Sequence, residues 1–182
     1  FFMRDLPLDS DLKIAIYSLV AENDDDRHIF EALLGLYDST NDAREKERIQ
    51  VAMGCFKRED TIKKVIDFSL SERVRKQDWF RIMVILGMNP EARLIAWKFL
   101  KENWDDFKKK YEGNLTLLVR TLEGVTSSFV DEENIADIKK FFKAYPLKEA
   151  ERTMKQVIET IETNIKWHNR SLDEIKNWLA NR

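Results

Sequence analysis

The chain has 182 residues, 43% hydrophobic and 35% charged, with only 5 Gly and 3 Pro. So few turn formers argue against a β-sandwich or barrel, and the length suits one domain with a sizeable core. The 31 Lys plus Arg nearly cancel the 33 Asp plus Glu, leaving a formal net charge of −2, too balanced a field to gather phosphates, so no nucleic acid partner is expected.

Leu12, Ile16, Leu19 and Val20 set a helical spacing that Ile29, Phe30, Leu33, Leu34 and Tyr37 repeat. Ile49, Ala52, Cys55 and Phe56 form the next apolar stripe and Ile62, Val65, Ile66 and Leu70 another, parted by the polar residues 57–60. A helix near residues 76–86 is expected to stop at Gly87, with Asn89 as N-cap and Pro90 in the first position of its successor. From there Arg93, Trp97, Leu100, Trp104, Phe107 and Tyr111 step by threes and fours, which predicts one long aromatic-striped helix down to Gly113, with the stripe in the core. Leu115, Leu118, Val119 and Leu122 give a shorter helix. Asp131 then caps one carrying Ile135, Ile138, Phe141 and Phe142, which Pro146 ends. Met154, Val157, Ile158, Ile161 and Ile165 mark a ninth helix, and Ser171 with Glu174 reads as a capping box opening a tenth through Ile175, Trp178 and Leu179.

Taken in twos, these helices begin near residues 10, 42, 76, 114 and 147, so successive starts lie 32, 34, 38 and 33 apart, within the roughly 20 to 50 residue periods of helical solenoids. A helix pair cannot bury both faces alone, so stacking in tandem is the natural solution, and such stacks present a concave surface. The expected fold is all-α: a right-handed α-α superhelix of about ten antiparallel helices, HEAT or armadillo-like, spanning 1–182 as a single domain.

Catalytic chemistry is hard to find. His28 and His168 lie far apart with no ligand-spaced partner, Ser127 and Ser128 lack a nucleophile-elbow context, and no glycine-rich phosphate cradle is present. The acidic runs 24–26, 105–106 and 132–133 read as solvated helix starts. No catalytic residue, metal ligand or cofactor is therefore assigned to this chain. Four residues stand out as peptide-channel candidates. Arg75, Gln77 and Asp78, ahead of Trp79 and Phe80, can cap a helix, the preferred role, or face a cavity. Arg93 can lie over Trp97 as a cation–π partner or point into a groove that receives a peptide carboxylate.

No apolar run approaches the roughly 20 residues that cross a bilayer, so no membrane partner is expected. Phe1-Phe2-Met3 leads directly into Arg4 and Asp5 rather than a signal-peptide core, as in a piece of something longer. The lone Cys55 follows Val51-Ala52-Met53 and suits a small buried hydrophobe in a reducing compartment, which places the chain in the cytoplasm.

Three segments carry a family resemblance: residues 70–78 (Leu70-Ser71-Glu72-Arg73-Val74-Arg75-Lys76-Gln77-Asp78), residues 96–104 (Ala96-Trp97-Lys98-Phe99-Leu100-Lys101-Glu102-Asn103-Trp104), and Ala150-Glu151-Arg152-Thr153 leading into Ile158-Glu159-Thr160-Ile161-Glu162-Thr163-Asn164-Ile165-Lys166-Trp167. In this order they resemble the C-terminal domain of the gluzincin zinc aminopeptidases, the group including puromycin-sensitive aminopeptidase, aminopeptidase N, the endoplasmic-reticulum trimming enzymes and the archaeal tricorn-interacting factors. The resemblance implies a parent enzyme that removes N-terminal residues from peptides, with its zinc in an upstream catalytic domain of the same polypeptide. It also implies that the present domain closes the active-site chamber and shapes the access of peptide substrates. The wording of the second half is closer to the cytoplasmic and archaeal members than to the secreted ones. A free-standing helical-repeat adaptor that binds a protein on its concave face is the alternative.

Overall fold

A computed structural model describes residues 8–23, 28–75 and 77–181; Phe1 to Arg4 and the acidic run 24–26 lie outside them. Among the described residues there are ten α-helices and no strand: α1 (Lys13–Glu22), α2 (His28–Ser39), α3 (Ala43–Met53), α4 (Glu59–Leu70), α5 (Trp79–Met88), α6 (Arg93–Glu102), α7 (Trp104–Lys110), α8 (Leu115–Thr126), α9 (Glu132–Ala144) and α10 (Glu151–Ala180), the last entered through a 3-10 turn at Lys148–Ala150.

Their order of contact is that of a solenoid. The helices α1, α3, α5, α8 and α10 touch successively and form one layer, while α2, α4, α6 and α9 pack on them from the other side. Within the first layer α1, α3 and α5 run parallel, because α2 and α4 each carry the chain back, and α6 with α7 together do the same before α8. Lys13 and Tyr17 near the start of α1 meet Glu45 near the start of α3, at 3.0 and 2.7 Å. Arg81 at the start of α5 pairs with Glu47, and Asn89 just past its end donates to the carbonyl of Gly54 at 3.0 Å. These links repeat at the expected period: the bonded residues are 32 apart for Lys13 and Glu45, 34 for Arg81 and Glu47, 35 for Asn89 and Gly54, 37 for Asn164 and Ser127 and 40 for Trp97 and Asp137. The all-α superhelical stack read from periodicity is thus the observed architecture.

The seam between α5 and α8 is closed by glycine. A Cβ on Gly87 would sit 2.3 Å from the carbonyl oxygen of Gly124, and one on Gly124 would sit 2.4 Å from Cγ2 of Val84. Gly87 therefore does not stop its helix, which runs on to Met88; it lets two backbones approach. Asn89 does act as expected at the next start, its Oδ1 accepting from the Glu91 amide at 3.0 Å, although regular helix begins at Arg93.

Two helix boundaries differ from the sequence expectation. The long helix from Pro90 is broken at Asn103 (φ −113°, ψ 26°), whose side-chain amide donates to the Phe99 carbonyl at 2.9 Å and satisfies the end of α6. The aromatic stripe stays in the core across the break, with Trp97, Trp104, Phe107 and Tyr111 all buried; Trp104 and Trp97 meet Phe141 edge-on at 5.1 and 5.0 Å. Conversely, the ninth and tenth helices are one. No Gly or Pro interrupts the 30 residues of α10, so Ser171 and Glu174 sit inside a helix rather than at its start. The Asp131 cap is present, with its Oδ1 accepting from the Asn134 amide at 2.8 Å.

Candidate functional site

The segment between α4 and α5 sets Asp78 at the mouth of α5. Its carboxylate makes no cap bond there. It accepts instead from Nε of Arg75 at 2.6 Å, and Nη2 of Arg81 lies 3.9 Å away. The side-chain capping preferred from sequence is thus not made by Asp78, which borders a cavity instead. The reason is its burial: the Asp78 side chain is only 11% exposed, and a carboxylate so enclosed takes a cationic partner over a lone amide. A cavity of about 100 Å³ opens here, lined among others by Arg44, Glu47, Gln50, Arg75, Asp78 and Arg81.

Its floor is tied down by neutral groups. Gln50 is buried and donates to the Tyr37 hydroxyl at 3.4 Å, which in turn donates to the Arg73 carbonyl at 3.3 Å. Burial pushes the Tyr37 phenol above its ordinary pKa, so it remains a neutral donor. Arg75, with 59% of its side chain exposed, borders the cavity; Gln77 is exposed and is not among its lining residues.

Arg93 belongs elsewhere. Its guanidinium donates to the carbonyl of Ser128, at the end of α8, and its Nε is buried without a hydrogen-bond partner. Burial lowers its pKa from the ordinary value, opposed by the nearby Asp131 carboxylate. The cation over Trp97 is Lys101, 5.3 Å from the ring centroid, and not Arg93. The four candidates thus divide: Arg75 and Asp78 are bonded beside one cavity, Gln77 is exposed between them in sequence, and Arg93 ties α6 to the turn between α8 and α9.

Two polar clamps had no motif to announce them. Asp137 accepts from the Trp97 indole at 2.7 Å and from Lys101. Burial alone would raise its pKa, but these hydrogen bonds outweigh burial and hold the carboxyl below its usual range. Lys110 donates to the Leu70 carbonyl at 2.7 Å while lying 3.2 Å from the centre of the Trp79 ring. The one signal for the first clamp is the pairing of Trp97 and Lys101, four apart on one face, with an acid one repeat further on. Cys55 is half-buried rather than buried, and its enclosure raises the thiol pKa, which makes it a poor nucleophile.

The described residues do not suit zinc: no group of three or more His, Cys, Asp or Glu among them could hold a metal ion. No described helix is long and apolar enough to cross a membrane.

A family model described as the ERAP1-like C-terminal domain matches residues 2–163. Among curated proteins, the chain is 28% identical over 176 residues to endoplasmic reticulum aminopeptidase 1 of Rattus norvegicus, covering 96% of this chain and 19% of that protein. It is 33% identical over 138 residues to aminopeptidase M1-B of Oryza sativa subsp. japonica, covering 76% and 15%. It is 25% identical over 182 residues to glutamyl aminopeptidase of Bitis rhinoceros, covering 99% and 19%. The chain therefore spans about a fifth of the length of these relatives. The matches favour a helical domain of an aminopeptidase over the adaptor reading. They also correct the expected location: relatives from rat, human and cattle are aminopeptidases of the endoplasmic reticulum, which points away from the cytoplasm. The physical ground for the cytoplasm was weak, since one half-buried thiol packs in the same way in a reducing or an oxidising compartment.

Proposed function

The chain belongs to the ERAP1-like C-terminal domain family, and on that premise we propose that it is the non-catalytic closing wall of a longer zinc aminopeptidase, governing which peptides reach the upstream catalytic domain. The observation that carries this reading is the family match over residues 2–163 in a chain whose described residues form a helical stack without a metal-binding cluster. The zinc and the peptide-cleaving groups belong to the upstream part of the parent. This chain contributes surface: a peptide held along it is kept in register with a distant reaction centre, and remote binding of that kind acts on long substrates and leaves short ones untouched.

Arg75, which borders the Asp78 cavity, and the exposed Gln77 are the proposed peptide contacts. Asp78 orients Arg75, and Arg93 holds the α6 end of the wall in place. The test uses the parent enzyme. Arg75→Ala and Gln77→Ala are expected to raise KM for long peptides by about fivefold, the effect of losing roughly 1 kcal/mol of a partly screened polar contact, with single-residue aminoacyl amides unchanged. Equal effects on both substrate classes would remove the access role of this surface. Zinc-dependent hydrolysis of an aminoacyl reporter by the purified 182-residue chain would overturn the division of labour itself.

A further inference from the structure

The lower half of α10 and its upper half carry the same apolar face with different surroundings. Met154, Val157, Ile161 and Ile165 are buried against the stack. The steps of three and four continue through the half-buried His168 to Leu172, Ile175 and Leu179, which lie on the same side of the helix, yet these three side chains are 38%, 53% and 60% exposed. Trp167, at 61% exposure, flanks them. The helix thus extends about four turns beyond its last buried residue, roughly 22 Å at 1.5 Å per residue, with its core face uncovered. The family match also stops at residue 163, just before this overhang.

We propose that Leu172, Ile175 and Leu179 form a docking face for the upstream part of the same polypeptide, which lies over the distal half of α10. This rests on the reading that the chain is part of a longer aminopeptidase. Two observations select this occupant. The chain spans 19% of the length of its relative from rat, so most of the parent's surface lies outside these residues. The area argues the same way: one helix face of four turns offers far fewer than the roughly 20 to 30 residues per side of a stable dimer. A tethered domain, held at an effective concentration in the millimolar range, docks on much less.

The experiment uses the full-length parent enzyme in a Cys55→Ser background. Ile175→Cys is compared with Asp173→Cys, two positions away and on the opposite side of α10, by the rate of maleimide labelling read on the 171–182 peptide by mass spectrometry. Ile175→Cys is expected to label roughly tenfold or more slowly, as a site that reacts only on local opening. Equal rates would overturn the proposal, and so would slow labelling that speeds up on dilution together with a dimer in sedimentation, which would assign the face to a second copy. Should Ile175→Cys fail to fold, Leu179→Cys carries the same comparison. Equal labelling with Arg75→Ala still affecting long peptides alone would remove the docking face and leave the access role standing.

Discussion

The α5–α8 seam and the distal half of α10 are built from the same helical periodicity and have opposite fates. In the seam, Gly87 and Gly124 bring two backbones so close that no side chain fits between them. In the distal half of α10, Leu172, Ile175 and Leu179 repeat the core pattern yet stay 38%, 53% and 60% exposed. An apolar stripe therefore specifies a face that wants burial; whether it is buried depends on what the rest of the chain places opposite.

The sharpest way to break this contrast is at the seam. Gly87→Val drives a branched side chain into the Gly124 carbonyl and is expected to cost at least ~3 kcal/mol, read as a fall in urea midpoint or loss of the folded state. Comparable midpoints for variant and parent would mean that the helices can separate freely. Next is Ile161→Ala in the buried half of α10, at about 3 kcal/mol for a large-to-small change in a core. The clamp between the layers comes third: Asp137→Ala strands the Trp97 indole and is expected to cost about 2 kcal/mol, measured in the same way. Acid titration sharpens this further. Glu45, where burial is outweighed by hydrogen bonds from Tyr17, Lys13 and Arg48, and Asp137 both have folded pKa values below the ordinary range. Their stabilisation is therefore complete above about pH 5 and is lost as pH falls below about 4, through the lowered folded values. A midpoint flat between pH 5 and 3 would contradict it. The smallest effect belongs to Ile175→Ala, under ~0.5 kcal/mol on the chain's own unfolding. A loss as large as that of Ile161→Ala would show the overhang to be packed.

How much of this was legible depends on the kind of signal. Burial periodicity and repeat length were readable, since each helix pair must present its stripe at the same interval to stack. The break at Asn103 was hidden because Trp104, Phe107 and Tyr111 keep to the core side across it, so the pattern does not stutter. The Ser171 and Glu174 pair has the letters of a capping box, but with no breaker ahead of it the preceding helix continues. Of the site, the Arg75 to Asp78 segment was visible as polar residues at a helix mouth. The partners of Arg93 were not, because Ser128 is 35 residues away and its backbone carbonyl carries no sequence mark. Asp137 was missed for the same reason: its partners belong to the previous repeat.

The interval at which those bonds recur has a mechanical consequence. A stack tied together by links of 32 to 40 residues has no long strap running from one end to the other within that set, so each repeat can rotate slightly on the next and small angles add along the axis. Such an array behaves as a coiled spring: a push at one end is taken up a little by every joint, and the whole returns when released.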